Sequence, residues 1–490
     1  MKIINYRPVV FITISLLLGV MVGGLVYQND IFIILAPIVF TAMGVGILLI
    51  FKKRLLFLLI LFFVIGLVSF KIENTIIFSG EVEKSQALCQ GRVAENTGKA
   101  VILDTFTIDG KSYKGKMALN VPTDAPKGYI IEFTADIVTN DVDVFDTYKM
   151  SKYYDKVFYN ANKVRNVKVS YGSKKALEKV KDKLNDSMLD NMPDEEGGVA
   201  VSLVFGDTEY ITRADSQTMR NTGLSHIFSV SGLHVGFLVA LIIFIGKKLR
   251  LSPSLRFVIV FTTLVLYGLL TGFPSGVKRA GIMSLVYLLG IMTGRKNDAL
   301  NTLAMSVFII VLLTPRELFD ISFLMSVSAI FGMVCFYSPL KRWIQGKSYK
   351  KFRKYIASSI AATISANVFL VPISCNVFNT FATYQLISNL TLLPLVTFVY
   401  TALMPVLAIS YFFSNFGRVN MLLSYFVTIL RLVASAIEKL PFATLEVSSM
   451  GKLTILYIAL AIGLSPFIKK SALLKPLYNK LAASINFFVF

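Results

Sequence analysis

The chain has 490 residues, 55% of them hydrophobic and 16% charged, and its 50 lysines and arginines against 29 acids give a formal charge of +21. A mean hydropathy of +0.66, with repeated uncharged apolar runs, excludes a soluble fold, a disordered chain and a disulfide-stapled secreted domain. Three scattered cysteines, Cys89, Cys335 and Cys375, form neither a disulfide framework nor a CxxC metal knuckle.

In chain order, three apolar runs open the sequence, at 9–27, 31–51 and 55–70. Lys2 and Arg7 precede the first, but no small-residue cleavage site follows, so it reads as a retained span and not a signal peptide. Residues 71–172 are polar and β-like. Segments 87–94, 100–108, 112–121 and 129–138 are rich in β-branched or alternating residues, and Asp109-Gly110 is a hairpin signal. Four or five short strands in about a hundred residues predict a small barrel of the OB type or a sandwich. An amphipathic helix is predicted at 174–190, with Leu177, Val180, Leu184 and Met188 on one face. Its pattern fits packing on the β domain or lying along a membrane surface.

Nine further runs follow, at 226–246, 255–271, 280–294, 299–314, 318–338, 355–378, 385–413, 421–437 and 453–468. The expected fold is a polytopic α-helical membrane protein of about twelve spans with an inserted small β-barrel domain. Its parts are N-terminal spans at 1–70, the β domain at 71–172, a helical linker at 173–195 and a second membrane domain at 196–490.

Basic clusters stand at 52–54, 247–250, 295–296, 341–354 and 469–470. Threading the spans from a cytoplasmic N-terminus brings all five to the cytoplasmic side, as the positive-inside rule demands. The expected location is therefore a cell membrane, with both termini cytoplasmic and the β domain extracytoplasmic. Residues 71–172 carry a net charge of only +1, whereas 173–490 carry +16, so most of the excess is topogenic. The bases left for a polyanion are Lys278 and Arg279, placed on the external side, and Arg431 within a span.

Residues 206–236 read GDTEYITRADSQTMRNTGLSHIFSVSGLHVG and hold both histidines of the chain, His226 and His234, with Ser225, Ser229 and Ser231 between them. Polar groups entering a span face a cavity or a partner, or bond neighbouring backbone at the span's edge. A metal would need three or four ligands, and eight helical residues hold the two histidines ~12 Å apart. A serine protease would need a base on another span, where no histidine exists. Two smaller clusters are Gly-Phe-Pro-Ser-Gly-Val before Lys278-Arg279, and Asp320 followed by Ser322 and Ser326; for Asp320 capping of a helix N-terminus is the plainer reading. In the β domain Phe106, Tyr113, Tyr129 and Phe133, near Lys111, Lys114 and Lys116, could stack on single-stranded bases or fill the core.

Gly206-Asp207, Gly223-Leu224-Ser225-His226 and Ser231-Gly232-Leu233-His234-Val235-Gly236 resemble, in this order, the signature of the ComEC family of competence proteins. Arg279-Ala280 with Met283, Gly294-Arg295 with Leu300-Asn301, Thr314-Pro315, and Leu318-Phe319-Asp320 with Phe323 and Ser326 extend the likeness over nearly the whole chain. Leu324 stands where the family often has Gln, and Gly276 where it often has Ser.

The resemblance implies an inner-membrane channel carrying single-stranded DNA into the cytoplasm during natural transformation, with an OB-like domain meeting the strand first. The expected pathway residues are Asp207, His226, Ser231, Gly232, His234, Lys278, Arg279 and Asp320, with base stacking on Phe106 and Tyr113. Many members add a metallo-β-lactamase-like domain, whose histidine cluster has no counterpart after His234. No enzyme activity, metal or cofactor is therefore expected. The expected partners are single-stranded DNA, the lipid bilayer, an extracytoplasmic DNA receptor, a cytoplasmic helicase or motor and a separate nuclease; self-association stays open. A transporter of another anionic or lipid-linked substrate is the alternative reading of the same fold.

Overall fold

A computed structural model describes residues 8–25, 54–78, 80–96, 100–119, 125–140, 156–171, 176–224, 227–228, 230, 232–294, 298–346, 351–378, 380–413 and 418–447. These fall into two compact units: Val9–Lys179 with Phe308–Phe323, and a helical unit from Val180–Val307 and Leu324 onward. Among the described residues, eight helices are long and apolar enough to cross a membrane. The predicted spans 31–51 and 453–468 lie outside the described residues.

In the first unit, helices α1 (Pro8–Leu25) and α2 (Arg54–Ile77) approach backbone to backbone. A Cβ on Gly19 would lie 2.1 Å from the Phe63 carbonyl oxygen, one on Gly23 2.3 Å from that of Leu67, and one on Gly66 2.4 Å from that of Leu16. Small residues four apart permit this close contact, the usual basis of helix association in lipid. The β domain follows as β1 (Glu83–Asn96), β2 (Val101–Ile108), β3 (Lys111–Tyr113), β4 (Lys116–Leu119), β5 (Ile130–Thr139) and β6 (Val157–Ser170). Asp109 and Gly110, both at positive φ, turn β2 into β3 as the sequence predicts. Strand β1 pairs with both β2 and β5, β5 with β6, β6 in parallel with β4, and β4 with β2, so the pairings return to their start.

Strand β6 is absent from the sequence reading for a physical reason. Its register on β5 advances three residues for two at Asn162–Arg165 and again at Arg165–Lys168, and the extra residues Lys163 and Asn166 sit at φ 50° and 54°. Two bulges thus convert the usual two-residue alternation into a period of three. Val164 and Val167 both turn inward against the core, although no alternating pattern announces them. Beyond the sheet, a 3-10 turn (Pro315–Phe319) joins α2: Glu73 accepts the Arg316 N–H at 2.9 Å, and the Phe319 and Phe70 rings meet edge to face at 5.3 Å.

The helical unit contains α3 (Ala176–Leu189), α4 (Asp194–Phe205), α5 (Arg213–Asn221), α6 (Gly232–Lys248), α7 (Pro253–Thr271) and α8 (Ser275–Met292). It continues with α9 (Ala299–Leu313), α10 (Ile321–Gln345), α11 (Lys351–Phe378), β7 (Thr380–Ala382), α12 (Gln385–Ser410), α13 (Val419–Glu438) and β8 (Thr444–Glu446). Helix α4 is buried from Glu196 to Phe205. Its composition is that of a core element, but it is too short for a span and was assigned to no element from sequence.

Candidate functional site

Thr212 caps α5: its hydroxyl accepts the Asp215 N–H at 3.0 Å and donates to the Asp215 carboxylate at 2.7 Å. The helix ends in Gly223 at φ +78°, where a Cβ would meet the Ala382 side chain at 2.9 Å, so this backbone lies directly on β7. Leu224, Ile227, Phe228 and Val230 are buried, which anchors the polar string before α6 starts at Gly232. His226 and Ser231, with Ser225 and Ser229, lie outside the described residues.

Helix α6 presents two contrasting faces. His234 is fully buried with its ring 4.7 Å from that of Tyr400 on α12. Tyr400 interacts in turn with Tyr267 of α7, whose hydroxyl donates to the Val204 carbonyl of α4 at 2.7 Å. Two residues turn a helix by ~200°, so Gly232 and Gly236 face away from His234. That opposite face lines a cavity of about 560 Å³ bounded by Gly236, Ala240 and Ile243 of α6, Met283 and Tyr287 of α8, and parts of α9 and α10. Helical geometry sets His234 and Gly232 on opposite sides of α6.

Arg279 belongs to the cavity's side of α8, since Ser275, Arg279, Met283 and Tyr287 recur every four residues. It is only 6% exposed, and its guanidinium donates to the Ser275 hydroxyl at 2.9 Å. A Cβ on Gly232 would lie 3.4 Å from the Ala280 Cβ, so the starts of α6 and α8 are in contact. Gly232, Lys278 and Arg279 are therefore brought together at one end of the cavity-lining helices.

The other candidates lie elsewhere. Asp207 pairs with Lys181 of α3 at 2.6 Å. Asp320 belongs to the first unit and accepts the N–H groups of Ser322 and Phe323 at 3.1 and 3.0 Å, capping α10. Phe106 is 3% exposed in the β core, so it has no free face for a base, which corrects its assignment as a stacking residue; its ring lies parallel to that of half-buried Tyr113 at 6.5 Å. Arg431 is also corrected as a base for a polyanion. Its guanidinium donates to Glu195 at 2.5 Å and to Glu196 and Asp215 at 2.9 Å, so three carboxylates already surround it. Sequence reasoning passed over those acids, and over Tyr267 and Tyr400. The available signal was Glu195-Glu196 directly before an apolar run, a costly placement without a partner.

The chain is 24% identical over 207 residues to ComE operon protein 3 of Bacillus subtilis (strain 168), covering 42% of this chain and 26% of that protein. It is 22% identical over 213 residues to Recombination protein 2 of Haemophilus influenzae (strain ATCC 51907 / DSM 11121 / KW20 / Rd), covering 41% and 27%. It is 21% identical over 210 residues to Uncharacterized protein YcaI of Escherichia coli (strain K12), covering 41% and 27%. The aligned part is thus about a quarter of each relative's length. No solved structure matches. The family model described as Competence protein matches residues 203–471. That match takes in the polar string, the cavity helices and α13, more than half of the sequence, and the chain belongs to the competence protein family.

Proposed function

We propose that this protein is the membrane channel through which single-stranded DNA enters the cytoplasm in natural transformation. The observation that carries the reading is the cavity between α6, α8, α9 and α10, two of whose helices, α6 and α8, start side by side at Gly232 and near Lys278 and Arg279. A buried guanidinium there offers positive potential to phosphates that must shed their hydration, and the glycine face of α6 leaves width for a chain. By the distribution of basic clusters, that end and the β domain are external and both termini cytoplasmic. The closed circuit of strand pairings in the β domain supports reading it as an OB-like barrel. The protein acts as a conduit without catalysis; an external DNA receptor, a cytoplasmic motor and a separate nuclease complete the pathway.

The test is uptake of labelled DNA in the host carrying Arg279→Gln at normal expression. Transformation is expected to fall at least tenfold, and unimpaired uptake overturns the channel reading. One observation favours a second reading, transport of a lipid-linked anion: the cavity lining is mostly aliphatic, with Ser284, Thr302 and Tyr287 its few polar groups. An envelope defect on gene deletion, with competence intact, selects it.

A further inference from the structure

Helices α12 and α13 have the length and hydropathy of spans, yet both their ends are held by one short polar stretch of chain. At the turn between them, Ser187 of α3 donates to the Ser410 hydroxyl at 3.1 Å, and Lys183 donates to the Tyr411 carbonyl at 2.9 Å. Asn420, at the start of α13, donates to the Ser187 carbonyl at 2.8 Å. At the far end of α13, Glu438 accepts from Thr218 at 2.6 Å and from Asn221 at 2.7 Å, both on α5. The far end of α12 meets the same stretch: a Cβ on Gly223 would lie 3.1 Å from Gln385, the first residue of α12.

No helix between α3 and the end of α5 is long enough to cross a membrane. Four residues separate Leu189 from Asp194, and α4 is about 18 Å long against a hydrocarbon core of about 30 Å. The chain after α4 also folds back along it. Asp207 returns to Lys181 at 2.6 Å, and a Cβ on Gly198 would lie 2.1 Å from the Tyr210 carbonyl oxygen. Glu195 and Glu196 at the start of α4 and Asp215 at the start of α5 bind the same guanidinium, that of Arg431. Departure and return are therefore at one depth. Segment α3–α5 thus touches both ends of α12 and of α13.

We infer that the α12–α13 hairpin does not cross the bilayer but enters it from the side that carries α3 and the β domain. Those two are joined within one unit, where Glu178 in the first turn of α3 accepts from the Arg92 guanidinium of β1 at 2.6 Å. The side chains of α13 suit a helix lying in one leaflet. Asn420, Ser424, Thr428, Arg431, Ser435 and Glu438 recur every three or four residues, and four of these bond to α3, α4 or α5. The opposite face exposes Met421, Leu422, Tyr425, Ile429 and Leu432, an apolar stripe whose partner is the acyl-chain region of that leaflet. The basic clusters concur. Residues 411–418 contain one arginine and no lysine, and removing two consecutive spans leaves every cluster where the charge rule puts it.

The experiment compares sides of the membrane directly, with a membrane-impermeant maleimide on spheroplasts and on inverted vesicles. Single cysteines go in at Phe412, at Phe413, at Lys163 in the β domain, and at Arg342 in a basic cluster. The native thiols are buried, and burial pushes that of Cys89 up to about 12, which keeps the background low. Phe412→Cys and Phe413→Cys are expected to label from the same side as Lys163→Cys and opposite to Arg342→Cys. Labelling with Arg342→Cys overturns the inference. So does labelling from neither side while the denatured chain reacts, since that buries the turn in hydrocarbon. If Lys163→Cys, Phe412→Cys and Phe413→Cys all label only in inverted vesicles, the inference stands and the orientation assumed for the channel fails.

Discussion

Arg431 and Asp215 meet Nε to Oδ1 at 2.9 Å and bolt α13 to α5. Asp215 and Glu196 are 8% and 7% exposed, so the guanidinium compensates carboxylates that water cannot reach. Arg431→Met strands them, and a buried pair broken from one side costs about 3 kcal/mol or more. Thermal unfolding in detergent is expected at a clearly lower temperature. Arg431→Lys restores one contact of three and falls between, because an ammonium cannot reproduce the guanidinium fork.

The cavity gives a contrast between two glycines. A side chain at Gly236 meets nothing within 4 Å, whereas one at Gly198 strikes the Tyr210 backbone. Gly236→Leu is expected to fold normally and cut DNA uptake by filling the path. Gly198→Ala is expected to lower expression and stability. Undiminished uptake with Gly236→Leu would remove this cavity from the pathway.

In the β domain, Phe106→Ala deletes a core ring packed against Tyr159 at 5.4 Å, a change worth about 3–5 kcal/mol. Tyr113→Ala, at a half-buried position, costs less. Loss of strand binding in a folded Phe106→Ala protein, with its melting temperature unchanged, would restore Phe106 as a stacking residue.

The sequence was most legible where one physical signal dominated. Helices α7 and α11 match their apolar runs to within four residues, because hydropathy alone sets a bilayer-length element. The β2–β3 turn followed from Asp109-Gly110, which tolerates positive φ. Legibility failed where two structures share one pattern. The amphipathic run of α13 reads equally as a span or as a helix in one leaflet, and only the contacts of Ser187 and Thr218 separate them. His234 and Gly232 share a motif, yet their opposite faces become visible only once α6 is known to continue through both. The burial of Phe106 depends on its pairing with Tyr113 across the hairpin, which composition cannot report.

Acid reaches the β domain through two carboxylates that bond the backbone at the start of β1, Asp109 of the β2–β3 turn and Asp136 of β5. Asp109 lies below its ordinary range chiefly through the Lys84 ammonium, which donates to it at 2.6 Å, and next through the Leu88 N–H at 3.0 Å. Asp136 is lowered first by the Gln86 N–H at 2.9 Å and then by Lys163 at 3.2 Å. A group with a depressed folded pKa stabilises above its unfolded value, near ~3.9 for aspartate, and loses that contribution as pH falls through the lower folded value. Residues Glu83–Leu88, with Gln86 held at φ 53°, are therefore expected to stay fixed at neutral pH and loosen only in stronger acid. The amide resonances of Gln86 and Leu88 in the detergent-solubilised protein should inflect below pH 4. Asp136→Asn should abolish the inflection at Gln86, and Asp109→Asn that at Leu88. An inflection near pH 5 in the unaltered protein would show that neither carboxylate is stabilised by these partners.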